Sequence, residues 1–211
     1  MDMNSGNLGA SLLALTLLFA APLKAETRSS PTLDTKAIDQ AIGKPGEMKD
    51  GVYKISLPRK DLSVSLNGVQ LKPGFALGTW LAFKQAGHDA VLDGDLVLTE
   101  QEVGAVLGEL RKEGIEVSAL HNHLIGETPK LMFLHIEGKG DAGKMAMQVK
   151  GALSLTGTPM ETLVASATPT EMGTASEEPD FDVGIIDKEL GHTGKFKNGV
   201  LHVSVPRPES I

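Results

Sequence analysis

Residues 33–63 and 181–211 align at a constant offset of 148 without a gap, and this internal duplication restricts the fold more than any other feature of the chain. LDTKAIDQAIGKPGEMKDGVYKISLPRKDLS lies over FDVGIIDKELGHTGKFKNGVLHVSVPRPESI. Identities include Asp34/Asp182, Ile38/Ile186, Asp39/Asp187, Gly43/Gly191, Gly46/Gly194, Gly51/Gly199, Ser56/Ser204, Pro58/Pro206 and Arg59/Arg207. Both copies carry the same local instructions. An Asp N-cap opens a two-turn helix that turns Ile38 or Ile186 inward, a glycine stops it, and a Gly-Val pair leads a strand that ends at proline. The expected organisation is a complete repeat over 33–156, a linker over 157–180 rich in Pro, Thr, Ser and Glu, and the opening of a second, truncated repeat over 181–211.

Inside the complete repeat the periodicities alternate between two and 3.6. Tyr53–Leu57 and Ser63–Leu66 read as short strands, and Asn67-Gly68 as a hairpin turn into Val69–Leu71. Phe75–Phe83 and Ala90–Leu98 follow as strands. Thr99 and Glu102 form a capping box for a helix whose inner face is Val103, Val106, Leu107 and Leu110, and Gly114 ends it. Ile115–Leu124 and Lys130–Glu137 are the next strands, and Asp141 caps a second helix that buries Met145, Val149, Ala152 and Leu153. The order β-β-α-β-β-α with short connections predicts an α+β fold: a mostly antiparallel sheet with helices packed on one face.

Composition removes several function classes. A net charge of −7 offers no general attraction to phosphate backbones, and one Trp and one Tyr make poor base-stacking platforms, so nucleic acid is not an expected partner. Cysteine is absent, which excludes disulfides, thiolate metal sites and a cysteine nucleophile; any metal must be held by nitrogen and oxygen. Leu8–Ala21 is an apolar run followed by Pro22-Leu23-Lys24-Ala25, too short to span a bilayer comfortably and of the length of a secretory h-region. Residues 1–25 are accordingly expected to be a signal peptide cleaved after Ala25, although MDMNSGN carries Asp2 and no Lys or Arg. The mature protein is expected to be exported, periplasmic or secreted, with no membrane attachment after cleavage.

The chemistry concentrates in ALHNHLIGETP, residues 119–129. On a strand, residues two apart share a face, so His121 and His123 project together while Asn122 points away. A five-residue connection over Ile125–Pro129 pairs His121 with Phe133 and places His135 opposite Ala119, diagonal to His121 on the same face. Glu127 is expected to fold back from the loop. His121, His123, His135 and Glu127 then form a ligand set for a divalent ion, Zn, Mn, Fe, Ni or Cu, with Glu127 as fourth ligand or general base. Asn122 suits a structural hydrogen bond better than a metal. Asp93 and Asp95, two apart in LDGDL, offer a further carboxylate from a neighbouring strand, against the simpler reading of turn-forming residues. Arg59 and Arg207 read as strand-end ion pairs rather than anion sites.

The strings GVYKISLPRKDL, LKPGFALGTWLAFK, GDLVLTEQEV, GIEVSALHNHLIGETPKLMFLHIEG and GDAGKMAMQVKGAL together resemble the LppY/LpqO group, an exported bacterial family described as a domain of unknown function (DUF1259). The similarity covers roughly residues 33–211, and GIEVSALHNH is its most specific part. The resemblance implies a two-repeat architecture and an exported location, and transfers no reaction. Two departures are that most of the second repeat is missing and that no cysteine exists for a lipid anchor.

Two functional expectations follow. The first is an exported domain whose His-x-His strand holds a divalent metal that acts on, or binds, a small ligand. The second is a non-catalytic envelope or secreted module that binds a ligand or partner through its sheet, with structural histidines. An open sheet edge left by a missing half would favour a homodimer.

Overall fold

A computed structural model describes residues 32–160, 178–197 and 199–206. The expected signal peptide, most of the expected linker and Arg207 lie outside the described residues. Helix α1 (Thr35–Ile42) opens the domain, and it begins where the sequence predicts: the Asp34 carboxylate accepts the Ala37 amide at 2.9 Å, and Gly43 closes the helix at φ 90°. Ile38 and Ile42 are its fully buried residues. Strands β1 (Glu47–Lys49) and β2 (Val52–Pro58) form a tight hairpin. Asp39 accepts from the Gly46 amide and the Tyr53 hydroxyl, tying helix to hairpin.

The short strands β3 (Ser65–Leu66) and β4 (Val69–Gln70) flank Asn67-Gly68, both residues at positive φ as a two-residue hairpin turn requires. Long strands β5 (Gly78–Ala86) and β6 (Asp89–Thr99) follow, then α2 (Val103–Glu113), β7 (Glu116–His121), β8 (Glu127–Thr128), β9 (Leu131–Gly140) and α3 (Ala142–Leu153). The main sheet has the order β1-β2-β5-β6-β9-β7, with every neighbour antiparallel, and β4-β3-β8 form a separate small sheet. The α+β class is as expected, with helices on one face.

That face is the principal core. Ile55, Leu57, Leu81, Phe83, Leu92, Leu96, Leu134 and Ile136 from the sheet meet Ile38, Val106, Leu110, Met145, Val149 and Leu153 from the three helices. The strands alternate, as a sheet with unlike faces must. A second cluster on the opposite face is smaller: Val97, Leu131 and Phe133 are covered by Val64 and Leu77 from the β2–β5 connection. One half of that face is therefore roofed and the other half is open.

Arg59 fixes the roofing connection to the domain. It is fully buried, and its guanidinium donates to Asp61, to Glu102 and, at 2.6 Å, to the Val97 carbonyl. The ion-pair reading of Arg59 thus holds. Glu102 also accepts the Gly157 amide at 2.9 Å and the Thr99 amide at 2.7 Å. Helix α2 starts only at Val103 with Glu102 as its N-cap, so the expected Thr99–Glu102 pair closes the turn ahead of the helix rather than capping it. With Thr158 buried as well, the packed unit includes the first residues of the expected linker.

Residues 178–206 reproduce the opening pattern. Asp182 caps α4 (Val183–Leu190), Gly191 adopts φ 67°, and Asp187 accepts the Gly194 amide at 2.9 Å, as Asp39 does for Gly46. Strands β10 (Lys195–Lys197) and β11 (Val200–His202) pair as a two-stranded hairpin. No residue of α4 is buried.

Candidate metal centre

The candidate site lies on the open half of the second face, and a β-bulge sets it there. Along β7 the register with β9 shifts between Val117 and Ala119, leaving Ser118 as the extra residue. Val117 pairs with Ile136 and packs toward the helices, whereas Ala119 pairs with His135 and His121 with Phe133 on the other face. Without the extra residue, side chains at 117, 119 and 121 would all share one side.

The structure brings His121, His123 and His135 together. One ring nitrogen from each lies within 4.8 Å of the others, and Nε2 of His121 is 2.9 Å from Nε2 of His135. The rings of His121 and His123, and of His121 and His135, have centroids 4.9 Å apart. His123 stacks on Phe133 at 3.6 Å and 14°, so the buried phenylalanine of the smaller cluster is also the backing plate of an imidazole. Side-chain exposures of 34% for His123 and 36% for His135 leave the cluster accessible to solvent and to a ligand.

Strand β7 ends at His121, three residues earlier than the sequence suggests, and two side chains replace the missing ladder. Asn122 Nδ2 donates to the Leu131 carbonyl at 2.9 Å, and Glu127 Oε1 accepts the Leu131 amide at 3.0 Å. Together they clamp the loop that carries His123. Glu127 lies apart from the imidazoles. Expected as the fourth ligand or base, it is buried instead in β8, where it pairs with Leu66, and it is not brought into the imidazole cluster.

Asp95 takes the place nearest the imidazoles. It sits on β6 directly opposite His135 on one side and Trp80 on the other, so Ser56, Trp80, Asp95, His135 and Ala119 form one row across the sheet. Its Oδ2 is 3.8 Å from His135 Nε2 and 3.9 Å from His123 Nε2. Asp93, the other residue of that pair, is exposed and lines a shallow groove with Glu116, Glu137 and Lys139. Lys54 Nζ lies 4.2 Å from the centroid of the Trp80 ring.

Burial lowers the His123 pKa most, the neighbouring imidazoles lower it further, and Asp95 opposes them. The shift favours the neutral ring, the form in which imidazole binds a metal. Phe133, paired with His121 in the expected register, also backs the His123 ring, and Trp80, opposite Asp95 on β5, is a neighbour of the site for which the sequence carries no local signal.

The fold and cluster thus define an α+β domain with three converging imidazoles on the sheet face away from its helices. The chain belongs to the family described as Domain of Unknown Function (DUF1259), which matches residues 36–155. That span contains the six-stranded sheet, helices α2 and α3 and every residue of the cluster. Neither the curated proteins nor the solved structures contain a match.

Proposed function

We propose that this protein is an exported metal-binding domain in which His121, His123 and His135 hold one divalent ion, Zn, Mn, Fe, Ni or Cu, open on its solvent side to water and a small ligand. The observation that carries the proposal is the 2.9 Å separation of two Nε2 atoms with a third ring nitrogen inside 4.8 Å. Two nitrogens bound to one ion at about 2.1 Å stand about 3.0–3.4 Å apart, so a small adjustment suffices. A triad of protein ligands leaves positions for a bound water or a ligand oxygen, which the ion would polarise.

Export is supported by the apolar run Leu8–Ala21 and by the resemblance to the LppY/LpqO group. Among the described residues no helix is long and apolar enough to cross a membrane. The segment 181–211 fits the opening of a second unit, since its caps and hairpin follow those of residues 33–63.

Elemental analysis and calorimetric titration of the purified protein with Zn(II) test the metal reading. One equivalent per chain is expected, and a His121→Ala/His123→Ala double variant should lose it. The stacking of His123 on Phe133 favours a second reading, in which the imidazoles serve packing and the sheet binds a partner. A wild-type protein that takes up no metal, with a double variant of much reduced stability, would select that reading.

A further inference from the structure

Asp95 is a buried carboxylate with one oxygen left unpaired. Its side chain is 8% exposed, and among the described residues its Oδ1 is the one buried side-chain nitrogen or oxygen without a hydrogen-bond partner. A buried polar atom left unpaired is costly, and a buried charge more so, which makes such a group a marker of something the site is built to receive. The nearest basic groups are the two imidazoles, whose nitrogens at 3.8 and 3.9 Å from Oδ2 are beyond hydrogen-bonding distance. Two positions along the strand from Asp95 and His135, on the same sheet face, Asp93 and Glu137 pair directly and add negative charge. Lys54 is engaged over Trp80.

The nitrogens nearest Asp95 are Nε2 of His135 and Nε2 of His123, and the former is also the atom that meets His121. The same small space is thus bordered by imidazole nitrogens and one carboxylate oxygen from three strands or their ends. Resting on the three-histidine reading, we propose that Asp95 is the fourth ligand of the ion, giving a donor set of three nitrogens and one anionic oxygen. The ion would supply the positive charge that Asp95 lacks, and Asp95 would close the buried side of the coordination sphere. The remaining positions then face solvent, where a ligand enters. Such a donor set suits a borderline divalent ion rather than a soft one.

The test compares wild-type protein with Asp95→Asn, using Zn(II) for affinity and Co(II) for its visible spectrum. Loss of an outer partner of a metal ligand costs about 10–100-fold in affinity. Loss of a ligand should reach roughly the upper end of that range or beyond, with a changed Co(II) spectrum. The melting temperatures should move in opposite senses. Metal-free Asp95→Asn should melt no lower than metal-free wild type, since Oδ1 has no hydrogen bond to lose, while the rise on adding Zn(II) should shrink. A variant with wild-type Zn(II) affinity and an unchanged Co(II) spectrum overturns the assignment of Asp95 and leaves the imidazole site standing. Wild-type protein that binds neither ion overturns the metal site itself. Should Asp95→Asn fail to fold, a Zn(II)-soaked crystal of the wild type decides: an Asp95 oxygen at about 2.0–2.2 Å supports the proposal, and one at a non-bonding distance overturns it.

Discussion

The two copies of the helix–hairpin segment have the same local code and different surroundings. Asp34 and Asp182 both cap, Gly43 and Gly191 both terminate in the left-handed region, and Asp39 and Asp187 both accept a glycine amide seven residues on. Yet Ile38 and Ile42 are fully buried, whereas Leu190, the counterpart of Ile42, is 52% exposed. Strand β2 lies inside a six-stranded sheet, and among the described residues β11 pairs with β10 alone. Caps and turns therefore suffice to write the element, while burial comes from α3 and β5, which the first copy has beside it. Local sequence specifies shape, and tertiary neighbours supply most of the stability.

The strongest way to break this contrast is at Arg59, the last position of the first copy that is identical in the second. Arg59→Ala leaves Asp61 and Glu102 without their buried partner and should cost about 3–5 kcal/mol in urea unfolding. The same ion pair gives a pH signature. Burial pulls the Glu102 carboxyl up, but hydrogen bonds from Arg59 and from the Gly157 and Thr99 amides outweigh it and hold the pKa below its ordinary value. Its contribution is present in full above the usual glutamate range and is lost as pH falls through the lowered value. The stability gap between wild type and Glu102→Gln should accordingly be constant near neutrality and close in acid, and a gap that persists at low pH would refute the linkage.

Next in size is the core contact. Ile38→Ala should destabilise by about 2–5 kcal/mol, and Ile186→Ala by less than about 1 kcal/mol. Equal losses would mean that α4 packs in solution as firmly as α1 does. The smallest effect belongs to the caps: Asp34→Ala should cost about 1 kcal/mol of global stability. Asp182→Ala should leave the unfolding midpoint unchanged and reduce only the helical signal of the second segment, measured by amide exchange at Gly184 and Ile185.

Legibility followed the same division. The helices, the Asp34, Asp141 and Asp182 caps, the Asn67-Gly68 turn and the pairing of His121 with Phe133 and Ala119 with His135 were readable, because each depends on residues close in sequence. The place of Asp95 beside His135 was not, since it depends on β6 pairing with β9 across the whole of α2, and no local pattern encodes that partner. The place of Glu127 was not legible for the same reason. A loop carboxylate next to two histidines reads as a ligand, and only the remote pairing of β8 with β3 draws it into a structural clamp. Strands of two or three residues, β1 and β8, carry too few positions for an alternation to register.

The extra residue at Ser118 makes β7 a composite strand. Before it the odd position Val117 faces the helical layer, and after it the odd positions Ala119 and His121 face the outer surface. One inserted residue thus lets a single strand turn an aliphatic side chain to the helices and an imidazole four positions on to the solvent side, so exchanging His121 leaves the Val117 contact with the helical layer in place.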